Sequence, residues 1–265
     1  MITTDFLPGS PCWVEVSSPD VDASATFYRR VFGWEAISEG GPEAAGYLSL
    51  KLAGDIVAGL CPTISESERP GWTVFFHDPD VDGTAVAVER LGGTVLIEPF
   101  DVLHLGRTAQ FFDPQGARFA VWHPAAFPGV QRTDAPGSLC RVELWTPDGP
   151  GSVDFYGELF RWSYTDFDLP GESGHYRVVT PAGADRDRDQ GGVMALLPEQ
   201  VDDAEGSAAW NPVFMVADAD TAVGGVRAGG GQVYMGPEDT PGVGRVAACA
   251  DPFGAGFVLL APPRE

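Results

Sequence analysis

The chain has 265 residues, 44% of them hydrophobic, and a formal net charge of −22. The length suits about two ordinary domains, and the hydrophobic fraction excludes a disordered chain. The acidity argues against nucleic acid and anionic membranes as partners, and no apolar run reaches the roughly 18 residues of a membrane span. The first residues, MITTDFLPGS, lack a basic segment followed by an apolar one, so a cytoplasmic protein is expected. Residues 1–123 carry 17 acids and 7 bases and the remainder 21 and 9, so the charge belongs to the whole surface. It suits solubility and is also compatible with a cationic ligand. Cys12, Cys61, Cys140 and Cys249 show neither C-x-x-C nor zinc spacing and read as buried free thiols of a reducing compartment.

In chain order, Trp13–Ser17 alternates as a strand. Pro19-Asp20 ends it and opens a helix in which Phe27, Tyr28, Val31 and Phe32 recur at helical spacing, and Gly33 stops that helix. Short strands follow around Ala36–Glu39, Tyr47–Leu52 and Ile56–Cys61. The pattern then restarts with a strand at Trp72–His77 and a helix at Asp80–Leu91, closed by Gly92-Gly93. Strands at Val95–Asp101, Arg107–Phe112 and Arg118–Trp122 complete it, the last two joined by the turn Asp113-Pro114-Gln115-Gly116. This is two βαβββ modules. Pro124–Gly137, with three prolines and two glycines, reads as an extended, surface-exposed linker.

After the linker the same text is written again. At an offset of 128, Val14, Glu15, Pro19, Asp20, Ser24, Phe27, Tyr28, Phe32 and Trp34 recur as Val142, Glu143, Pro147, Asp148, Ser152, Phe155, Tyr156, Phe160 and Trp162. At an offset of 138, Trp72, Phe76, Asp80, Asp82, Gly106-Arg107 and Asp113-Pro114 recur as Trp210, Phe214, Asp218, Asp220, Gly244-Arg245 and Asp251-Pro252. The ten additional residues of the second copy are expected in the loop Pro181–Gly192. The resulting division is 1–123 for the first domain, 124–137 for the linker and 138–265 for the second domain. The fold class is α+β: two tandem domains, each of paired βαβββ modules forming an open, curled, mixed sheet. Helices cover one face and an internal cleft lies on the other.

The helix pattern D-x-x-x-x-x-x-F-Y-x-x-x-F-G-W and the hairpin pattern D-P-x-G resemble the vicinal oxygen chelate superfamily of glyoxalases, bleomycin-resistance proteins and dioxygenases. They are more particularly similar to its tandem two-domain actinobacterial members of the "hydroxylase" type, a label from which no reaction follows. Asp20, Phe27, Tyr28, Phe32, Gly33, Trp34 and Asp113–Gly116 carry the resemblance in the first copy. Asp148, Phe155, Tyr156, Phe160, Trp162 and Asp251–Gly254 carry it in the second, where Arg161 replaces the helix-end glycine. The resemblance implies a divalent ion held by His or Glu on the first, fifth and eighth strands. Those positions fall at Trp13, Thr73 and Ala120 in the first copy and at Arg141, Asn211 and Val258 in the second. None is a His or a carboxylate, so no metal and no other cofactor is expected.

Strand alternation turns Trp13, Glu15 and Ser17 toward the first cleft, with Thr73, Phe75 and His77. It turns Arg141, Glu143 and Trp145 toward the second, with Asn211, Val213 and Met215. A carboxylate in an apolar cleft can act as a general base, so Glu15, with His77 beside it, is the candidate catalytic pair. The bland alternative for Glu15 and Glu143 is a pairing with a neighbouring arginine such as Arg107 or Arg245. Arg141 and Glu143 are expected to form an ion pair. Trp13, Trp145 and Phe75 could stack on a planar ligand or merely fill a disused cleft. The glycine pairs Gly92-Gly93 and Gly230-Gly231 follow helices and are not phosphate loops. The expected function is metal-independent binding of an aromatic, hydrophobic or cationic small molecule, a metabolite or antibiotic, by a monomer or homodimer. The alternatives are a metal-free isomerase, lyase or ring-closing enzyme of secondary metabolism, and a metal-dependent glyoxalase or dioxygenase whose ligands lie elsewhere.

Overall fold

A computed structural model describes residues 1–38, 45–65, 68–167, 175–197 and 208–263. The first copy runs β1 (Pro11–Ser18), α1 (Val21–Phe32), β2 (Glu35–Ile37), β3 (Leu48–Leu52), β4 (Asp55–Pro62), β5 (Gly71–His77), α2 (Val81–Arg90), β6 (Thr94–Val102), β7 (Gly106–Phe112) and β8 (Arg118–Pro124). The second runs β9 (Leu139–Thr146), α3 (Gly149–Phe160), β10 (Ser163–Phe167), β11 (His175–Thr180), β12 (Gly191–Ala195), β13 (Ala209–Met215), α4 (Ala219–Ala228), β14 (Gln232–Thr240), β15 (Gly244–Ala250) and β16 (Gly256–Ala261). Each copy builds an eight-stranded mixed sheet, in the orders β2-β3-β4-β1-β5-β8-β7-β6 and β10-β11-β12-β9-β13-β16-β15-β14. The α+β class and the tandem repeat of βαβββ modules are therefore as expected.

Each of the four described α-helices starts on a repeated aspartate. The side chains of Asp20, Asp80, Asp148 and Asp218 accept from the backbone N–H of Ala23, Gly83, Gly151 and Thr221. Such a cap is worth about 1 kcal/mol. Gly33 ends α1 in the left-handed region at φ 76°, and Arg161 holds the same conformation after α3 at φ 57°. The backbone rule survives there although the residue does not.

The chain divides into two compact units that cut across the copies. The first comprises Met1–Trp13, Thr73–Gly129 and Arg141–Asn211; the second comprises Val14–Trp72, Val130–Cys140 and Pro212–Glu265. Inside each unit, the first helix of one copy meets the Asp-Pro-x-Gly turn of the other. In the first unit Tyr156 of α3 donates to Asp113 Oδ2 at 3.0 Å, and Trp210 Nε1 donates to the Tyr156 hydroxyl at 2.8 Å. Asp113 Oδ1 meanwhile accepts from the N–H groups of Gln115 and Ala117. In the second unit Tyr28 of α1 donates to Asp251 Oδ2 at 3.1 Å, and Asp251 Oδ1 accepts from Phe253 and Ala255. Aromatic rings pack around each tie. Phe76 lies 5.2 Å from Phe160 and 5.1 Å from Trp210 in the first unit. Phe214 lies 5.0 Å from Phe32 and 5.2 Å from Trp72 in the second.

The motif tryptophans extend the repeat beyond the aligned blocks. Trp34 Nε1 donates to Gly137 O at 2.7 Å, and Trp162 Nε1 to Gly9 O at 2.9 Å. Gly9 and Gly137 are themselves 128 residues apart, within Pro-Gly-Ser triplets. Both have positive φ, and a Cβ at Gly9 would press on the Trp162 indole and the Phe160 Cβ.

Two sequence expectations need correction. The segment 124–137 is not a plain exposed tether. Val130 and Gly137 are buried, Gln131 exchanges hydrogen bonds with Ile56, and Arg132 pairs with Asp55 at 2.7 Å. The proline and glycine content signalled irregular backbone, which here is packed. The additional residues of the second copy are also not all in Pro181–Gly192. Glu15 lies opposite Gly59 and Glu143 opposite Gly192. That offset of 133 is midway between 128 and 138, so half of the insertion follows Gly192.

The ties give a graded test. Tyr156→Phe strips Asp113 and Trp210 of a buried partner together and should cost about 2–3 kcal/mol in urea unfolding. Tyr28→Phe should cost less, because Trp72 Nε1 falls outside hydrogen-bond geometry and acts on the Tyr28 hydroxyl only as a weaker donor than Trp210 is to Tyr156. Equal losses would contradict the assigned role of Trp210.

Candidate functional site

In the second copy β9 alternates cleanly. Val142, Leu144 and Thr146 are buried, whereas Arg141, Glu143 and Trp145 are half-exposed. Val142 shares a small void with Trp162 and Trp210 on the helix side, so the half-exposed residues occupy the opposite face. There Trp145 Nε1 donates to Glu143 Oε2 at 3.1 Å, and the Tyr176 hydroxyl of β11 donates to Oε1 at 3.4 Å. Tyr176 reaches across β12 because Gly192 stands between; a Cβ there would overlap the phenol ring. Phe167 packs edge-on against Tyr176 with centroids 6.2 Å apart. Asn211 is buried, and its Nδ2 donates to Ala209 O at 3.3 Å.

Burial raises the Glu143 carboxyl above the usual carboxylate range, against the opposing pull of Trp145, the Arg141 charge and Tyr176. Burial first, and then the Glu143 charge, push the Tyr176 phenol well above its ordinary value. Tyr176 is therefore a hydrogen-bond donor and not a phenolate. The expected Arg141–Glu143 ion pair does not form: Arg141 acts on Glu143 through space, and its guanidinium has no hydrogen bond or ion pair among the described residues. The arginines expected as alternative partners are engaged elsewhere. Arg107 binds Asp82 and Asp101, and Arg245 binds Asp220 and Asp239.

The first copy presents a different surface. Trp13, Thr73 and Phe75 are buried. Phe127, from the segment after β8, stands edge-on to Trp13 at 5.0 Å, and its carbonyl accepts from Trp122 Nε1 at 2.8 Å. Side chains of the protein thus fill the place where Trp13 would stack on a ligand. His77 is half-buried with Nδ1 unpartnered among the described residues. Burial lowers its pKa and His123 adds to the effect, while the Leu7 backbone and Asp78 oppose it. Glu15 belongs to the other unit, where Cys61 Sγ lies 3.5 Å from its Oε1. Met215 is half-buried in that second unit, its backbone bonded to Gly137 and Ser138. Of the candidates, Trp13, Thr73, Phe75, His77, Arg141, Glu143, Trp145 and Asn211 fall in the first unit, and Glu15 and Met215 in the second. Tyr176 joins the first group, although sequence reading missed it.

A family model described as the glyoxalase/bleomycin resistance protein/dioxygenase superfamily matches residues 12–121 and 138–259. The chain belongs to this superfamily. It is 37% identical to the anthracycline biosynthesis protein DnrV of Streptomyces peucetius, covering 97% of this chain and 94% of the relative. It is 31% identical to the putative glyoxylase CFP32 of Mycobacterium bovis, covering 98% of this chain and 97% of that one. Among solved structures, the Mn(II)-bound glyoxalase from Novosphingobium aromaticivorans superposes with a TM-score of 0.64 at 20% identity, over 97% of this chain and 83% of that one. The 2,3-dioxygenase LapB from Pseudomonas sp. KL28 gives 0.63 at 15%, over 97% and 94%. At these identities the structures share the fold alone.

The superfamily resemblance implies a divalent metal, and the residues here do not fit one. Within the first unit, Arg141 and Asn211 stand at positions where the resemblance would put ligands, and neither is a His or a carboxylate. Among the described residues, no group of three or more His, Cys, Asp or Glu is arranged to hold a metal ion.

The raised Glu143 pKa predicts a pH signature. The folded state holds this proton more tightly than the unfolded chain, so stability is lost as pH rises from the ordinary glutamate value through the raised one. Glu143→Gln removes that loss. The melting temperature of the variant relative to the parent should climb as pH rises above the ordinary glutamate value of about 4.3. A difference independent of pH would refute the assignment.

Proposed function

We propose that the chain is a metal-independent binding protein for a planar, polycyclic aromatic metabolite, and that the second copy carries the site. The observation that carries this reading is the half-open face of β9, where Trp145 offers an aromatic surface beside Glu143, Tyr176 and Arg141. Such a face combines stacking area with polar groups that fix orientation. The names of the Streptomyces relatives refer to anthracycline biosynthesis, and anthracyclines are planar, hydroxylated polycyclic quinones that suit this mixture. The cation at Arg141, where a metal ligand would stand, supports independence from metal. The filled surface around Trp13 supports assigning the first copy a scaffolding part. No disulfide joins the four cysteines, which supports a reducing, cytoplasmic setting. No described helix is long and apolar enough to cross a membrane.

Calorimetry with 1,8-dihydroxyanthraquinone checks the reading. Trp145→Ala should weaken binding at least about tenfold, equivalent to about 1.4 kcal/mol. Trp13→Phe should leave it within about twofold, and exhaustive dialysis against EDTA should not change it. Binding abolished by EDTA and restored by a divalent metal would overturn metal independence. Unchanged binding in Trp145→Ala would overturn the site.

A further inference from the structure

The segment before β1 is joined to the end of β5 by a pair of backbone bonds. Gly9 N donates to His77 O at 2.8 Å, and His77 N donates to Ser10 O at 2.7 Å. The repeat makes the same joint inside the second unit, where Gly137 N donates to Met215 O at 2.8 Å and Met215 N to Ser138 O at 2.9 Å. In both joints the glycine carbonyl also accepts from a motif tryptophan, Trp162 for Gly9 and Trp34 for Gly137. The joints differ in the strand residue. One carries an imidazole and the other a thioether, so the first can titrate near neutral pH and the second cannot.

Around the first joint, residues 2–10 lie against the turn that leads into β12. Arg188 donates to Asp5 O and pairs with the Asp5 carboxylate at 3.6 Å, Gln190 Nε2 donates to Gly9 O at 3.1 Å, and Ile2 is buried. Two side-chain atoms here are buried without a hydrogen-bond partner among the described residues, His77 Nδ1 and Gln190 Oε1. Gln190 lines a small void together with Ile2, Thr3 and Ser10. Each of these two atoms has lost water without gaining a bond, which weighs against closure of the segment. Gln190 is also a rung of the sheet: its carbonyl accepts from Val142 N and its N–H donates to Val179 O, both at 3.0 Å.

We propose that residues 2–10 form a strap that opens when His77 is protonated, and that opening frees Gln190 behind the strand carrying Arg141 and Glu143. The groups facing the His77 ring are Asp78 at the end of its own strand, His123 on β8 and the Leu7 backbone of the strap. Burial is the largest influence and keeps the ring neutral, and His123 adds to it; Leu7 and Asp78 act the other way. The closed strap therefore holds fewer protons than the open one. Closure is fully stable above the ordinary histidine value of about 6.5 and weakens as pH falls through that value toward the depressed one. The device does not depend on what the second copy binds. The Met215 joint has the same backbone bonds and no such response, so the repeat contains its own control.

Hydrogen exchange of the intact chain, read amide by amide at pH 7.5 and 5.5 and corrected for the intrinsic rate, tests the strap. Protection of the Gly9 and Gln190 amides should fall at least about threefold on acidification, while that of Gly137 changes less than about twofold. His77→Met, which installs the residue of the other joint, should abolish the fall at Gly9. His123→Gln removes an influence that keeps the ring neutral and should shrink it. The proton NMR titration of the His77 ring in the parent should have its midpoint below about 6.5. Equal falls at Gly9 and Gly137, a fall at Gly9 that survives His77→Met, or a His77 midpoint at or above the ordinary value would each overturn the proposal. The comparison of the two joints and the ring titration both use the parent chain, so they decide the matter even where a variant fails to fold.

Discussion

The fold depends on a buried tyrosine–aspartate hydrogen bond, made once in each compact unit. Asp113 and Asp251 are nearly inaccessible carboxylates, and burial raises both above the usual range. Each remains tolerable inside because one oxygen closes its own turn through two backbone N–H groups while the other accepts from a tyrosine. A residue that organises a local hairpin thus also fixes a helix distant in sequence. Tyr156 packs against Trp162 and Trp210, and these in turn back the strand residue Val142. Glu143 is the next residue along that strand and points the other way.

Much of this was legible in the sequence. Helical spacing, Asp caps and Asp-Pro-x-Gly turns placed nearly every element, because those signals act over a few residues. What could not be read was which helix answers which turn. Tyr28 and Tyr156 are the same residue in the same motif, and so are Asp113 and Asp251. A repeat supplies two chemically identical ways to pair them, and nothing local distinguishes pairing within a copy from pairing between copies. The packed segment 124–137 escaped for a related reason. Its contacts with Asp55 and Ile56 are tertiary, and proline and glycine report backbone shape without reporting what covers it.

The site shows the same division. Alternation along β9 identified Arg141, Glu143 and Trp145 as one face, and the structure places them so. Tyr176 went unnoticed because its relation to Glu143 depends on the register of two strand pairings, β11 with β12 and β12 with β9. Gly192 is the one sequence signal that could have pointed to it. A glycine inside a strand marks a close approach by something, and here that neighbour is a phenol ring. In the first copy Phe127 occupies the space against Trp13. A tryptophan that stacks on a ligand and one that stacks on its own chain look alike in sequence.

Arg141 is informative against the composition as a whole. With 38 acidic and 16 basic residues, most arginines on this surface have carboxylates to bind, and Arg107, Arg132, Arg177 and Arg245 all do so. A cation that stays without such a partner among the described residues, beside a half-buried glutamate, is set against the prevailing field of the molecule. Its effect on Glu143 is to lower a proton affinity that burial has raised. The two influences act in opposite directions on one carboxylate, so removing the Arg141 charge alone would raise its proton affinity further.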